Sequence, residues 1–196
     1  MLKTHTLALG LYQTNCYIIH DEGSTTCCVI DPGYEAETIL AECKKLGLSI
    51  EAILLTHGHF DHVGAVKELA AETDCKVFLH TADLTMPPMM TAGQLYHTDS
   101  YAEGTQLNLA GLSIGVLHTP GHTPGSVCLV CADSIFSGDT LFAGSCGRTD
   151  LPGGDWATIT TSLNRLAKIE GNFWVYPGHG PASTLSQEKK YNPYMK

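Results

Sequence analysis

Ala52-Ile53-Leu54-Leu55-Thr56-His57-Gly58-His59-Phe60-Asp61-His62 joins an apolar run to a turn carrying three histidines and an aspartate. Imidazole and carboxylate bind divalent metals, and a turn fixed at the end of a buried strand holds alternate side chains firmly enough for two ions to sit side by side. Behind the turn, Val63, Val66, Leu69 and Ala70 recur at three- and four-residue intervals. That spacing predicts a helix starting near Asp61 or His62 with its apolar stripe inward, so the ligands lie between strand end and helix start.

Upstream, Thr6 to Leu9, Cys16 to Ile19 and Thr26 to Ile30 read as strands of a β-meander, separated by Gly, Asn and Asp turn signals. Tyr34 to Leu46 carries Ile39, Leu40 and Leu46 near helical spacing and stops at Gly47, which suits a left-handed cap. Downstream, Lys76 to Leu79, Thr105 to Leu109, Leu112 to Leu117, Ser126 to Cys131, Ser134 to Phe136 and Phe173 to Tyr176 read as strands. A helix from about Asp155 to Glu170 has Asp155 as N-cap, a stripe of Trp156, Ile159, Leu163, Leu166 and Ile169, and Gly171 beyond it. Two successive groups of strands and helices predict a single α/β domain, a four-layer α/β/β/α sandwich of two facing sheets with helices outside.

The composition fits that expectation: 196 residues, 43% hydrophobic, are enough for a real core. Eleven Lys and Arg against twenty Asp and Glu give a net charge of -9, which argues against a nucleic-acid or anionic-membrane surface. The N-terminus lacks an uninterrupted apolar stretch and no segment approaches a membrane span, so the chain reads as cytoplasmic. The eight cysteines lie mostly in apolar runs and read as buried free thiols. Cys128-Leu129-Val130-Cys131 matches C-x-x-C, but a strand sends its two sulfurs to opposite faces; Cys146, in a Gly-rich loop, reads as a small loop residue with exposure as the other reading.

Three further segments end apolar strands with potential ligands: His118-Thr119-Pro120-Gly121-His122-Thr123, Phe136-Ser137-Gly138-Asp139-Thr140 and Val175-Tyr176-Pro177-Gly178-His179-Gly180. Gly or Pro beside each lets the backbone turn sharply, and loops on one edge of a sandwich can converge. Taken singly, His122 and His179 are ordinary structural histidines and Asp139 a turn residue; with the first motif they make five His and two Asp in one constellation. His118 stands as a structural residue or as a donor orienting a ligand, and Asp31, in Ile30-Asp31-Pro32-Gly33, as a turn Asp or part of the site.

With these motifs the sequence resembles the metallo-β-lactamase-fold hydrolases, and among them the short bacterial glyoxalase II-like (hydroxyacylglutathione hydrolase) subgroup, through Pro177-Gly178-His179-Gly180-Pro181 and Gly144-Ser145-Cys146-Gly147-Arg148-Thr149-Asp150. The resemblance implies that His57, His59 and His122 hold one divalent ion, that Asp61, His62 and His179 hold the other, and that Asp139 bridges them, with Asp61 and Asp139 the catalytic carboxylates. Two divalent ions, two carboxylates and a bridging hydroxide leave about one positive charge, which brings the pKa of the water toward neutrality. That hydroxide would attack a carbonyl polarised by a metal, and a thioester suits it because a thiolate leaves without obligatory protonation. The donor set accepts zinc as the default, with iron or manganese possible. The β-lactamases of the fold lack such a bridging Asp, so by resemblance Asp139 argues against lactam hydrolysis.

The expected partner is therefore a small-molecule thioester such as S-lactoylglutathione. The sequence continues seventeen residues past His179, so the helical C-terminal domain by which full-length glyoxalase II binds glutathione is not expected. The Lys or Arg expected after the bridging Asp is matched by Arg148, which is the candidate contact for a substrate carboxylate; an ion pair with Asp150 or Asp155 is the competing reading. Asp150 and Pro181 stand where the family has aromatic residues. Thr85-Met86-Pro87-Pro88-Met89-Met90, leading to Tyr96, reads as core, with a lid or acyl pocket as the alternative, and Lys189 and Lys190 as a solvated tail. Persulfide dioxygenase, using a single iron, resembles the same ligand set and Gly147-Arg148-Thr149-Asp150, and a hydrolase of another small ester, lactone or thioester is a further reading. A structural metal module and a nuclease are disfavoured, the first by the intact ligand set and the second by the acidic balance. No residue pattern reports oligomeric state.

Overall fold

Buried strands followed by amphipathic helices set the architecture, and the computed structural model describes residues 1–195. The first sheet has the order β1 (Leu2–Leu9), β2 (Thr14–Asp21), β3 (Thr26–Ile30), β4 (Ser49–Leu54), β5 (Lys76–Leu79) and β6 (Asp99–Ser100). Its first three strands form the antiparallel meander, and from β3 onward the pairs are parallel. Helices α1 (Ala36–Leu46), α2 (Phe60–Val63) and α3 (Val66–Thr73) are interleaved, and a 3-10 turn spans Thr81–Thr85. Gly47 takes the left-handed cap of α1.

The second sheet is built from β7 (Gln106–Leu109), β8 (Leu112–His118), β9 (Val127–Cys131), β10 (Ser134–Gly138), β13 (Trp174–Pro177) and β14 (Ser183–Thr184). Strands β11 (Leu141–Phe142) and β12 (Ser145–Cys146) make a small hairpin. Helix α4 (Trp156–Ala167) begins at Asp155, whose side chain accepts from the Thr158 amide at 2.7 Å, and α5 (Leu185–Tyr191) closes the described chain.

Three apolar layers hold these elements together. Ile39 and Cys43 of α1 and Val66 and Leu69 of α3 pack on Ile18, Val29, Ile53 and Val77 of the first sheet. Between the sheets, Ile19, Ile30, Leu54 and Phe78 meet Ile114, Val116, Leu129 and Phe136. On the far side, Ile159, Leu163 and Leu166 of α4 cover Cys128, Ile135 and Val175. This is the four-layer α/β/β/α sandwich; each large aliphatic side chain so buried contributes about 1.5–3 kcal/mol. Cys128 and Cys131 belong to different layers, as the period of a strand requires, and all eight cysteines are free, Cys146 being the one left partly exposed.

The helix expected behind the histidine turn is in fact two. It breaks at Gly64 and Ala65 because the Asp31-Pro32-Gly33 loop wedges against it: the Ala65 amide donates to the Pro32 carbonyl at 3.0 Å, and a Cβ on Gly64 would lie 2.2 Å from the Gly33 oxygen. Trp156 does not join the apolar stripe of α4 but lies half exposed, edge-on to Tyr194. The tail is a docked helix rather than a solvated one, with Leu185 and Glu188 buried and Lys189 donating to the Ile169 carbonyl. Among the described residues no helix is long and apolar enough to cross a membrane.

Candidate metal centre

Because β3 and β4 run parallel, and β10 and β13 likewise, four strand ends open on one edge of the sandwich. Beyond them lie Asp31, His57, Asp139 and His179, with His59 at the N-cap of α2, Asp61 and His62 within it, and His122 in the loop after β8. The two sheets are tied at this edge by the Val127 amide on the Thr56 carbonyl and the Asn15 amide on the Gly178 carbonyl, both at 2.8 Å.

All seven candidate ligands converge. Ligand atoms of His57, His59 and His122 lie within 4.8 Å of one another, and so do those of Asp61, His62 and His179. Asp139 stands between the groups: its Oδ1 is 3.4 Å from His62 Nε2, and its Oδ2 is 3.5 Å from His122 Nε2 and 3.6 Å from His179 Nε2. His59 Nδ1 and His122 Nε2 approach to 2.9 Å, so these two ring nitrogens face one place.

The outer nitrogens are held by the surrounding chain. His62 Nδ1 donates to Asp31 Oδ2 at 3.0 Å, His122 Nδ1 to the Arg148 carbonyl at 2.7 Å, and His57 Nδ1 lies 3.1 Å from Thr56 Oγ1. Asp31 also accepts from the Thr56 amide at 2.7 Å and hydroxyl at 2.5 Å. Its ligand atom also lies within 4.8 Å of those of His57 and His62, but the three donors it already accepts, one of them His62 itself, point to an orienting residue rather than an eighth ligand. His118 Nε2 donates to the Pro124 carbonyl at 2.9 Å, bracing the loop that carries His122 without touching a ligand.

Three buried atoms at this centre, His57 Nε2, His59 Nε2 and Asp139 Oδ1, have no hydrogen-bond partner. His57 Nε2 and Asp139 Oδ1 are orphans that cost free energy in a protein-only cluster and that a cation relieves, so these residues fit a metal; His59 presents Nδ1, not the orphaned Nε2, to His122. Backbone fit points the same way: a Cβ on Gly178 would lie 2.2 Å from Asp139 Oδ1 and 2.6 Å from His62 Cε1. Only glycine lets the chain pass beneath these two side chains.

Charge within the cluster is sharply sorted. Burial first, then the facing His62, His122 and His59, push His57 well below the ordinary histidine value, and burial with His122 brings His59 to about 4. For His62 burial opposes the proton, but Asp139, Asp31 and Asp61 outweigh it and raise the value to about 9. Burial likewise opposes the charge on Asp61, yet His179 and His62 hold it well below the usual carboxylate range. Neutral imidazoles at His57 and His59 and an ionised Asp61 are the states that donate lone pairs to a metal.

A cavity of about 630 Å³ opens over Asp61, His122, Asp139 and His179, walled by Tyr12, Phe60, Met90, Phe142 and Leu151. Arg148 lines its rim, but the guanidinium is held bidentately by Asp150, Nε to Oδ1 at 2.7 Å and Nη2 to Oδ2 at 2.6 Å. Of the Met-rich segment, Met86 and Met90 are buried and Met89 is exposed, so it is part core and part pocket wall.

Sequence reasoning missed four residues that hold the centre. Thr14 Oγ1 reaches Asp61 Oδ2 at 3.3 Å; Asn15 Nδ2 donates to the Pro177 and Gly180 carbonyls at 3.0 and 2.9 Å; Tyr17 donates to the Pro177 carbonyl at 2.6 Å. Asp83, fully buried, joins the His57–His59 turn to the His122 loop. None sits in a ligand-like motif. A polar run at the start of a buried strand was the one available signal for Thr14 and Asn15.

The chain matches the description of the metallo-beta-lactamase superfamily over residues 9–179. It is 34% identical to the hydroxyacylglutathione hydrolase GloC of Haemophilus influenzae, covering 99% of this chain and 98% of that one. Its structure is similar to that of the BLEG-1 B3 metallo-beta-lactamase, with a TM-score of 0.90, 33% identity and 100% of both chains covered. The di-iron-bound form of TTHA1623 follows at 0.85 and 39% identity, covering 97% of this chain and 99% of that one. ETHE1 from Myxococcus xanthus gives 0.83 at 28% identity, covering 97% and 83%.

Proposed function

The chain belongs to the metallo-beta-lactamase superfamily, and from that membership and the geometry of the centre we propose a two-metal hydrolase that cleaves a small thioester of the S-lactoylglutathione kind. The observation that carries the reading is the placement of Asp139, whose two oxygens face the two ligand groups from a single carboxylate. One ion held by His57, His59 and His122 and a second held by Asp61, His62 and His179, with Asp139 shared, uses every converging side chain.

When bound, two such ions supply a water acidic enough to act as a nucleophile near neutral pH and a Lewis acid for the carbonyl oxygen. The protein's own part is orientation and exclusion of solvent. Asp31 fixes which nitrogen of His62 faces inward, and the Arg148 carbonyl does the same for His122. Asp61 and Asp139 face the space between the groups, where their oxygens can orient an attacking water by accepting its hydrogen bonds. Phe60 and Phe142 narrow the approach to the carbonyl, and the departing thiolate needs no donor.

Zinc is the first expectation for this His and Asp set, and the likeness to TTHA1623, known in a di-iron-bound form, supports iron as the alternative. The likeness to ETHE1 supports a second reading, oxidation of a persulfide at one iron, and the likeness to BLEG-1 puts a β-lactam in the same assay. The test is a panel on one purified sample of known metal content: S-lactoylglutathione, a β-lactam, and glutathione persulfide with an oxygen electrode. Loss of the thioester without oxygen uptake supports the proposal. Oxygen uptake with persulfide, or lactam opening with the thioester untouched, overturns it.

A further inference from the structure

At the opposite end of the first sheet from the metal centre, a cavity of about 770 Å³ opens between the C-terminal ends of α1 and α3. Thr25 and Ser49 on its wall stand at the starts of β3 and β4, whose far ends lead to Asp31 and His57. Leu40, Leu48 and Ile50 line it together with Cys43, which is 3% exposed. Behind Cys43 lies Cys27 of β3, fully buried, with its Sγ 3.8 Å from the Cys43 Sγ. This is the one thiol–thiol hydrogen bond among the described residues. Alternation along β3 turns Cys27 toward α1 and Cys28 into the layer between the sheets, so of these two neighbours only Cys27 meets Cys43. The Leu48 amide donates to the Cys43 carbonyl at 2.9 Å and pins the last turn of α1 in this position.

We propose that Cys27 and Cys43 form a reversible disulfide in the folded protein, closed by a hydroperoxide that enters through this cavity. Cys43 is the thiol the oxidant meets, and Cys27, with no exposure of its own, is the one that resolves it. With Cys27 as the donor, the contact raises the Cys27 thiol, which burial raises further, and lowers Cys43 against burial and the neighbouring Glu42. For hydrogen peroxide, the Cys43 sulfur attacks one oxygen and the O–O bond breaks, giving a sulfenic acid and a water. The Cys27 sulfur then attacks the Cys43 sulfur and expels hydroxide, which leaves as a second water with the Cys27 proton. Two thiols have lost two electrons and two protons, and one peroxide has become two waters. Because the sulfurs already touch, the bond forms without bringing α1 and β3 together from a distance, and it ties them across 16 residues of chain. The inference stands apart from the thioesterase reading, since neither cysteine lines the cavity over the metal centre.

The test is treatment of the folded, zinc-loaded protein with hydrogen peroxide, then a non-reducing digest read by mass spectrometry. The expected product is a pair of peptides joined through Cys27 and Cys43 and parted again by dithiothreitol. Closing a loop of this length is expected to raise Tm by roughly 6–12 °C. In Cys27→Ala the reaction is expected to stop at Cys43 as a sulfenic acid, which dimedone traps, with no rise in Tm on oxidation. Cys16→Ala, which removes a buried thiol of the same layer outside the contact, is expected to form the link as wild type does. Absence of the Cys27–Cys43 link from folded wild type, or its formation only after unfolding in urea, overturns the proposal. So does a linked form that melts no higher than the reduced one, or a Cys43 that takes up no dimedone in Cys27→Ala.

Discussion

The carboxylate of Asp83 accepts the backbone amide of Gly58 at 2.8 Å, between the two histidines of the H-x-H turn. The same carboxylate takes the Thr123 hydroxyl at 3.0 Å and the Gly125 amide at 2.6 Å, so one buried group fixes the turn carrying His57 and His59 to the loop carrying His122. Burial pushes the Asp83 carboxyl up, against the pull of those three donors.

Asp83→Ala leaves the Gly58 and Gly125 amides and the Thr123 hydroxyl without their acceptor. The expected loss is about 3 kcal/mol of stability, which for a domain of this size lowers Tm by roughly 6–12 °C. Calorimetric melts of wild type and variant measure it directly. A change within the error of the melt would show that the loops hold each other without this carboxylate.

Asp31→Asn keeps an oxygen for Thr56 but weakens the acceptor facing His62 Nδ1. Asp31 has φ 50°, a left-handed conformation that Asn adopts at less cost than Ala, so Asn isolates the hydrogen bond from backbone strain. Metal affinity is expected to fall by roughly 10–100-fold, read by competition with a chromophoric chelator. Equal affinity in wild type and variant would remove Asp31 from the account of the site.

Gly178→Ala puts a methyl group against Asp139 and His62. The variant is expected to lose at least one metal per chain on dialysis, by elemental analysis. Gly180→Ala is the control: Gly180 has φ +76°, with nothing within 4 Å of its Cβ position, so it costs on the order of 1 kcal/mol in strain and retains its metal. Equal metal content in both variants would contradict the cradle.

His80 gives the pH dependence outside the centre. Its Nδ1 accepts the Ala82 amide at 3.3 Å and its ring stacks on His118 with centroids 4.2 Å apart. Burial, then His118, lowers its pKa. A folded value below the unfolded one means that the unfolded chain takes up the proton first. The stabilisation is therefore whole above the ordinary histidine value of about 6.5 and is lost as pH falls through the folded value. His80→Asn keeps an acceptor for Ala82 and does not titrate, so Tm should fall less between neutral and mildly acidic pH than in wild type. Parallel Tm curves would refute the assignment.

What was legible in the sequence was whatever lies within a few residues of itself. The H-x-H-x-D-H turn and the Gly-flanked His122, Asp139 and His179 each announce a ligand beside a strand end, and parallel pairing brings those ends to one edge. What was hidden depends on contacts far apart in the chain. Asn15 meets Gly180 across 165 residues and Asp83 meets Thr123 across 40, and neither leaves a local pattern. The break between α2 and α3 is of the same kind, since the wedge that causes it comes from Pro32 and Gly33. For Arg148 the two readings could not be parted by sequence, because the choice turns on side-chain geometry with Asp150.

The central claim is that two ligand groups sharing Asp139 form one hydrolytic centre. Its most direct test is thioester cleavage under anaerobic conditions, followed as metal-free protein is titrated with zinc, iron or manganese. The account predicts that cleavage rises to a plateau at about two equivalents per chain and needs no oxygen. Full activity at one equivalent of iron that depends on oxygen, or no cleavage at any loading of any of the three metals, would contradict it.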